Sequence, residues 1–415
     1  MSTPRLILVE SNTSGTGRLF ARAATQQGAH PILLTDDPSR YEYIDEERLE
    51  VLQINTQDEE AMFDACMEMK CEAGVAGITS SSEYFILTAA VLASKLGLPG
   101  APPEVIRTCR DKQAQRVVLQ KAAVGIPAFR SVRSVGQALK AAERLGFPVV
   151  VKPVSGTGSA GVKLCSDGDE VAQHAGSLLE QKCNERGMAI PRRILVEEFA
   201  DGPEYSVETF GAQVIGITQK HTGQCPHFVE VGHDYPAPLS SAAQKIITRE
   251  IARATTALGL TWGPAHFELR LTPGGPKIIE VNPRLAGGYI PELVRLATGI
   301  DLVAETIRIT LGQKPRLKLR HRRYASIRFI LSPHEGQLAE WNGLDCAQCV
   351  PGVEDVQSYA KPGDWLQLRG DFRDRIGHVI ATGARPATSR ATVELASRLV
   401  HPILASSAIS AAREF

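Results

Sequence analysis

Along the first hundred residues, short apolar runs alternate with stretches of mixed polarity. LILVE (6–10), PILLTDD (31–37) and GVAGITS (74–80) read as buried strands. A turn, SNTSGTG, leads from the first strand into a helix that runs to about Gln27. Further helices are expected from about Asp58 to Lys70 and from about Glu83 to Leu96, where Gly97-Leu98-Pro99-Gly100 stops the pattern. Strand–helix alternation with short connections predicts a parallel α/β sheet.

The pattern then changes. Pro103 to about Lys140 reads as helical, with a break near Gly125-Ile126-Pro127. FPVVVKPVSGTGSAGVKL (147–164) reads as two strands around a small-residue loop. A helix from about Asp169 to Glu185 precedes the strand RRILVEEF (192–199). EYSVETF and QVIGITQK (204–220) follow as strands, then a helix from about Ser241 to Leu258, ended by Gly259. AHFELRL (265–271) and PKIIEVN (276–282) form an expected hairpin across Pro273-Gly274-Gly275. Two helices, about 291–298 and 301–311, come next. After about Lys314, RYASIRFILS (323–332), DWLQLRG (364–370) and GHVIATGA (377–384) read as strands, and a last helix covers about 389–400. The expected class is α/β, with an α+β middle and a small β-rich tail.

The 415 residues suffice for two to three domains at roughly 150 residues each. Lys plus Arg is 46 and Asp plus Glu is 46, so the formal charge is zero. That argues against a nucleic-acid or anionic-membrane binder, both of which rely on a positive field. No window holds 18 consecutive apolar residues, and the five-residue apolar run near the start is too short for a signal-peptide core. A cytoplasmic location is therefore expected. Eight cysteines are too sparse for a disulfide scaffold. Cys346 and Cys349 form one CxxC with no second pair to complete a zinc site, so unpaired thiols are expected.

Several residues could carry chemistry. Gly156, Gly158 and Gly161 sit in a loop between two β runs, suited to donating backbone N–H groups to phosphates. It is not a Walker loop, since Val162 separates Gly161 from Lys163. Lys152 lies in the apolar run VVVKP, where a charge needs a partner, and a phosphate is a natural one. Glu268 and Glu280 lie on the two strands of one hairpin. Glu280 and Asn282 share a face, which together makes an oxygen-rich site suited to Mg²⁺. Arg284 follows, placed to hold a transferring phosphoryl group or an oxyanion. Glu197, Glu198 and Glu204 suit ribose hydroxyls or an exocyclic amine. A partial G-x-G, Gly15 and Gly17, with Asp36 after the second strand, keeps a nicotinamide-dependent oxidoreductase as an alternative.

In this order, RDK (110–112), VVKPVSGTGSAG, ILVEEFADGPEYSVE, FELR and EVNPR resemble the ATP-grasp superfamily of carboxylate–amine ligases over about residues 1–390. SSSEYF (80–85), QKHTGQCPHFVEVGHDYPAPL (219–239) and NPRLAGGYIPELV (282–294) are similar to its L-amino acid ligases, dipeptide synthetases of antibiotic and phytotoxin pathways. The resemblance implies an N-terminal Rossmann-like domain (1–100), an ATP-grasp domain (101–314, with a lid at about 112–200) and a β-rich C-terminal subdomain (315–415). It implies ATP and two Mg²⁺ ions as cofactors, with Mn²⁺ as a substitute. Lys112, Lys152 and the loop Ser155, Gly156, Gly158, Ser159 and Gly161 would hold phosphates. Glu197, Glu198 and Ala200 would meet adenine, partly through backbone groups, and Glu204 ribose. Glu268, Glu280 and Asn282 would bind metal, and Arg284 would stabilise the acyl-phosphate step. Glu83 would meet the first substrate's ammonium. His233, Gly287 and Gly288 would lie near the reacting carboxylate, with His233 a candidate base. Glycine at 288 would leave a roomier first-substrate pocket. Two amino-acid substrates and a homodimer are implied as partners. A nucleotide-precursor or cell-wall ligase, or a non-catalytic ATP-binding protein, remains an alternative.

Overall fold

A computed structural model describes residues 3–405 except 14, 157, 185 and 186. Ser14 of the first turn, Thr157 of the glycine-rich loop, Glu185 at the expected helix end and the tail 406–415 lie outside the described residues. The N-terminal sheet is parallel. It comprises β1 (Arg5–Val9), β2 (His30–Thr35), β3 (Glu50–Gln53) and β4 (Val75–Thr79), in the order β3-β2-β1-β4. β3 was not expected, because EVLQ is short and only half-buried. Gly17 has a packing reason rather than a cofactor: a Cβ there would collide with the Asn12 carbonyl and the Tyr43 hydroxyl. Asp36 and Asp37 pair with Arg40 at 3.3 and 3.2 Å. The nicotinamide alternative therefore loses its local support.

A second, antiparallel sheet holds β5 (Phe129–Val132), β6 (Val149–Pro153), β7 (Lys163–Cys165) and β8 (Ile194–Glu198), in the order β5-β8-β6-β7. β5 interrupts the stretch read as helix, which divides into helices Pro103–Arg110, Lys112–Lys121 and Val135–Leu145. Val149, Val151, Ile194 and Val196 pack against the helices on one side of this sheet.

The central sheet has eight strands. They are β9 (Glu204–Phe210), β10 (Gln213–Thr222), β11 (Glu230–Tyr235), β12 (Pro264–Thr272), β13 (Gly275–Asn282), β14 (Tyr324–Leu331), β16 (Val353–Ser358) and β18 (Arg375–Gly383). Their order is β13-β12-β9-β10-β11-β14-β18-β16, and each neighbouring pair is antiparallel. β15 (Gly336–Asn342), β17 (Trp365–Leu366) and β19 (His401–Leu404) form a small outer sheet. Most of the expected strand DWLQLRG is irregular, since only its second and third residues find a partner. β11 was not expected as a strand. Its far edge takes β14, so the tail strands extend the central sheet. One core joins Leu8 and Leu33 of the N-terminal sheet to Leu293, Ile307, Ile327 and Ile380.

The helix Ser241–Leu258 matches its expected ends for physical reasons. The Ser240 hydroxyl accepts from the Ala243 N–H, and Gly259 adopts the left-handed cap. In the same way Asp111 caps the helix that opens with Lys112, accepting from the Gln113 and Ala114 N–H groups.

Candidate active site

A cavity of about 1240 Å³ opens where the three larger sheets meet. Its floor is one face of the central sheet. Register sets this face. Glu268 of β12 lies opposite Glu280 of β13, and Arg270 lies opposite Glu204 of β9. Glu204 in turn lies opposite Lys220 of β10, which lies opposite His233 of β11. Alternation along each strand then keeps Glu268 and Arg270 on the same side.

Lys220 is the hub. Its ammonium is buried and lies 2.6 Å from Glu230, 2.7 Å from Glu268 and 3.1 Å from Glu204. Burial disfavours its charge, but Glu230, Glu268 and Glu204 more than offset that and hold its pKa well above the usual lysine range. Burial would likewise raise Glu268, yet Lys220 and a hydrogen bond from His266 hold it well below the usual carboxylate range. Glu230 is lowered against burial by Lys220 and Arg375, the latter 2.6 Å away. His266 bridges two carboxylates, 2.8 Å from Glu208 and 3.1 Å from Glu268.

The phosphate side is built around a buried triad. Glu197 accepts from Arg116 at 2.9 Å and from Lys152 at 2.6 Å. Its carboxylate is 2% exposed, so it holds Lys152 in place and leaves only its backbone for a ligand. Burial and neighbouring charges lower the Lys152 pKa, although Glu197 opposes them. Lys112 lies 3.3 Å from Glu280 and donates to the Gly156 carbonyl at 3.1 Å. Gly158 and Ser159 line the cavity. Glu198 is half-exposed and sits 3.5 Å from Lys277, and Ala200 is buried at the cavity wall.

Glu268, midway along β12, lies opposite Glu280 of β13, and Asn282, two residues further on, lies on the same face opposite His266. Among the described residues no group of three or more His, Cys, Asp or Glu side chains is poised to hold an ion. Two carboxylates and an amide nevertheless fit Mg²⁺, which draws its other ligands from water and substrate phosphates.

Glu83 and Arg284 meet each other. The Arg284 Nε donates to the Glu83 carboxylate, and Arg110 stands 3.4 Å from the same group. Burial works against the Arg284 charge, but Glu83 raises its pKa. Glu83 thus faces two guanidiniums rather than standing open for an ammonium alone.

Two expectations need correction. His233 is 0% exposed and does not reach the cavity wall. Its ring sits edge-on to Phe329 at 5.5 Å, and its Nε2 lies 3.3 Å from Glu230 without hydrogen-bond alignment. Burial lowers its pKa. It cannot meet a substrate amine from there. Nor does glycine at 288 leave room: a Cβ there would come within 2.7 Å of the His233 Nε2, at a backbone φ of +58°. The open direction is at Gly287, where a Cβ would meet nothing within 4 Å.

Lys220, Glu230, Arg116, His266 and Arg375 were not singled out from sequence. Simple alternation places Glu230 and His233 on opposite faces. A bulge leaves Val231 without a partner between His221 and Thr222, and restores both to the same side.

An ATP-grasp domain model matches residues 145–292, and a model of the L-amino acid ligase C-terminal domain 2 matches residues 328–405. The uncharacterized protein y4rH of Sinorhizobium fredii is 39% identical over 391 residues, 94% of this chain and 81% of that protein. The L-arginine-specific L-amino acid ligase of Bacillus subtilis is 25% identical over 299 residues, 69% of this chain and 70% of that protein. The crystal structure of L-amino acid ligase from Bacillus licheniformis superposes with a TM-score of 0.82 at 24% identity, over 98% of this chain and 100% of that one.

Proposed function

Because the chain belongs to the ATP-grasp carboxylate–amine ligases and is similar to their L-amino acid ligases, we propose that it joins two amino acids into a dipeptide, forming ADP and phosphate. The observation that carries this reading is the Glu83–Arg284 pair at the cavity wall. A free amino acid is a zwitterion, and adjacent groups of opposite charge match both of its ends.

In the first step the carboxylate of one amino acid attacks the γ-phosphate of ATP, giving an acyl phosphate and ADP. Lys152 and Lys112 bind phosphate oxygens, and Arg284 balances charge at the reacting carboxylate. Glu268, Glu280 and Asn282 would hold Mg²⁺, which supplies charge neutralisation to the phosphates when bound. The backbone of Glu197 to Ala200 binds adenine, and Glu204 binds ribose once Lys220 and Arg270 share it. In the second step the amine of the other amino acid displaces phosphate. Gly158, Ser159 and the surrounding wall exclude water, which would otherwise hydrolyse the intermediate.

The test is incubation with ATP, Mg²⁺ and all pairs of common amino acids, reading phosphate release and product mass. Pair-dependent release with a dipeptide mass supports the reading and names the substrates. Release with a different product would move the acceptor outside the amino acids, and no release with any pair would overturn the ligase reading.

A further inference from the structure

The second step needs a base. The incoming amino acid arrives as an ammonium ion and must lose a proton before its nitrogen can attack. Every described glutamate on the cavity wall is already ion-paired with a lysine or arginine. His266 has a carboxylate on each ring nitrogen, an arrangement that fills both with protons. His233 is walled off behind Gly288.

One wall of the cavity carries a different arrangement. The Tyr359 hydroxyl is 2.7 Å from the Nδ1 of His378, and the Nε2 of His378 is 3.0 Å from Asp355. His378 is 0% exposed, while Tyr359 is 41% exposed and lines the cavity. The tautomer that satisfies both contacts has its proton on Nε2, donated to Asp355. Its Nδ1 lone pair then accepts from the tyrosine. Asp355 and His378 stand on the paired strands β16 and β18, a rigid support. The Tyr359 ring lies parallel to that of Tyr289, the residue after Gly288, with centroids 6.5 Å apart. Arg375, three residues before His378 on β18, reaches Glu230 on the sheet floor, so this wall adjoins the reacting end of the cavity.

We infer that Asp355, His378 and Tyr359 form a proton relay that deprotonates the acceptor amino acid, an inference that rests on the ligase reading. The ammonium gives one proton to the Tyr359 oxygen as Tyr359 passes its own to His378 Nδ1, and Asp355 stabilises the imidazolium. The freed nitrogen lone pair forms the C–N bond to the acyl carbon. The C–O bond to phosphate breaks, and the departing phosphate takes the electron pair and a second proton from the nitrogen. Burial and Tyr289 raise the Tyr359 hydroxyl, so it rests neutral with a lone pair to offer.

Hydroxylamine separates this role from others, because it is already neutral near pH 7 and needs no base. Tyr359→Phe, which keeps the ring, and His378→Asn are compared with the unaltered enzyme in two assays. One is dipeptide formation with an amino-acid acceptor, and the other is hydroxamate formation with hydroxylamine. The relay predicts a loss of about 100-fold or more in dipeptide formation, with a much smaller loss of hydroxamate. Asp355→Asn should give an intermediate loss with the same selectivity. Equal losses in both assays, or none in Tyr359→Phe, would overturn the relay while leaving the ligase reading intact. Hydroxamate and dipeptide both absent from the unaltered enzyme would overturn both.

Discussion

Glu280 illustrates how a single side chain can separate chemistry from folding. It is partly exposed and has Lys112 as its ion-pair partner at 3.3 Å. Glu280→Ala should abolish ADP production, while the melting temperature stays within a few degrees of the parent. Undiminished turnover would remove Glu280 from the metal site. Gly288 makes the opposite case. A side chain there meets His233 and a left-handed backbone, so Gly288→Ala should cost about 1–3 kcal/mol in chemical denaturation. Gly287→Ala, pointing into open space, should cost little. At this scale part was legible: Lys152, Glu268, Glu280 and Asn282 stand out as charges or an amide inside apolar runs, and Arg284 follows two residues after Asn282. Lys220 and Glu230 did not, because their roles depend on which strands lie side by side. Tyr359, His378 and Asp355 were silent for the same reason, being brought together only by the pairing of β16 with β18.

Between elements, Asp234 ties two strands and a helix to its own strand. It sits on β11 and pairs with Arg328 of β14 at 3.1 Å, with Arg390 of the helix Pro386–Ser397 at 2.7 Å, and with His221 of β10 at 2.7 Å. Burial would raise its carboxyl, but His221 and Arg328 lower it below the usual aspartate value. A depressed carboxylate contributes stability that is present above its unfolded pKa, near 3.9, and is lost as pH falls below that toward the folded value. Unfolding free energy should therefore drop on acidification below about pH 4, and Asp234→Asn should remove part of that slope. Asp234→Ala should cost about 1–3 kcal/mol, because Arg390 loses its carboxylate partner and Arg328 keeps only Glu394. Denaturant titrations across pH would check both. Elements with long periodic patterns and good caps, such as Ser241–Leu258, were legible almost to the residue. The short strands β3, β5 and β11 were not, since four to six residues of mixed polarity carry no decisive period.

For the whole molecule, the tail strands close the far side of the central sheet, with β14 hydrogen-bonded to β11. A chain ending at residue 314 would leave β11 as a bare edge and remove Ile327, Phe329 and Ile380 from the main core. Such a truncation should fail to give a monodisperse folded species by gel filtration and circular dichroism. A well-folded, ATP-binding fragment would show that the tail is dispensable to the sheet. The three-part division read from sequence does not anticipate this sharing, because a strand's partner is not written in its own residues. The sharing also bears on how relatives can diverge. The floor carrying Lys220 and Glu268 and the strands that lead into Tyr359 and His378 belong to one hydrogen-bonded ladder. Recombination at the junction near residue 314 would graft mismatched registers onto each other. New specificities in such a scaffold should accumulate by single replacements along the cavity wall, and laboratory shuffling should succeed only where β11 and β14 are inherited from the same parent.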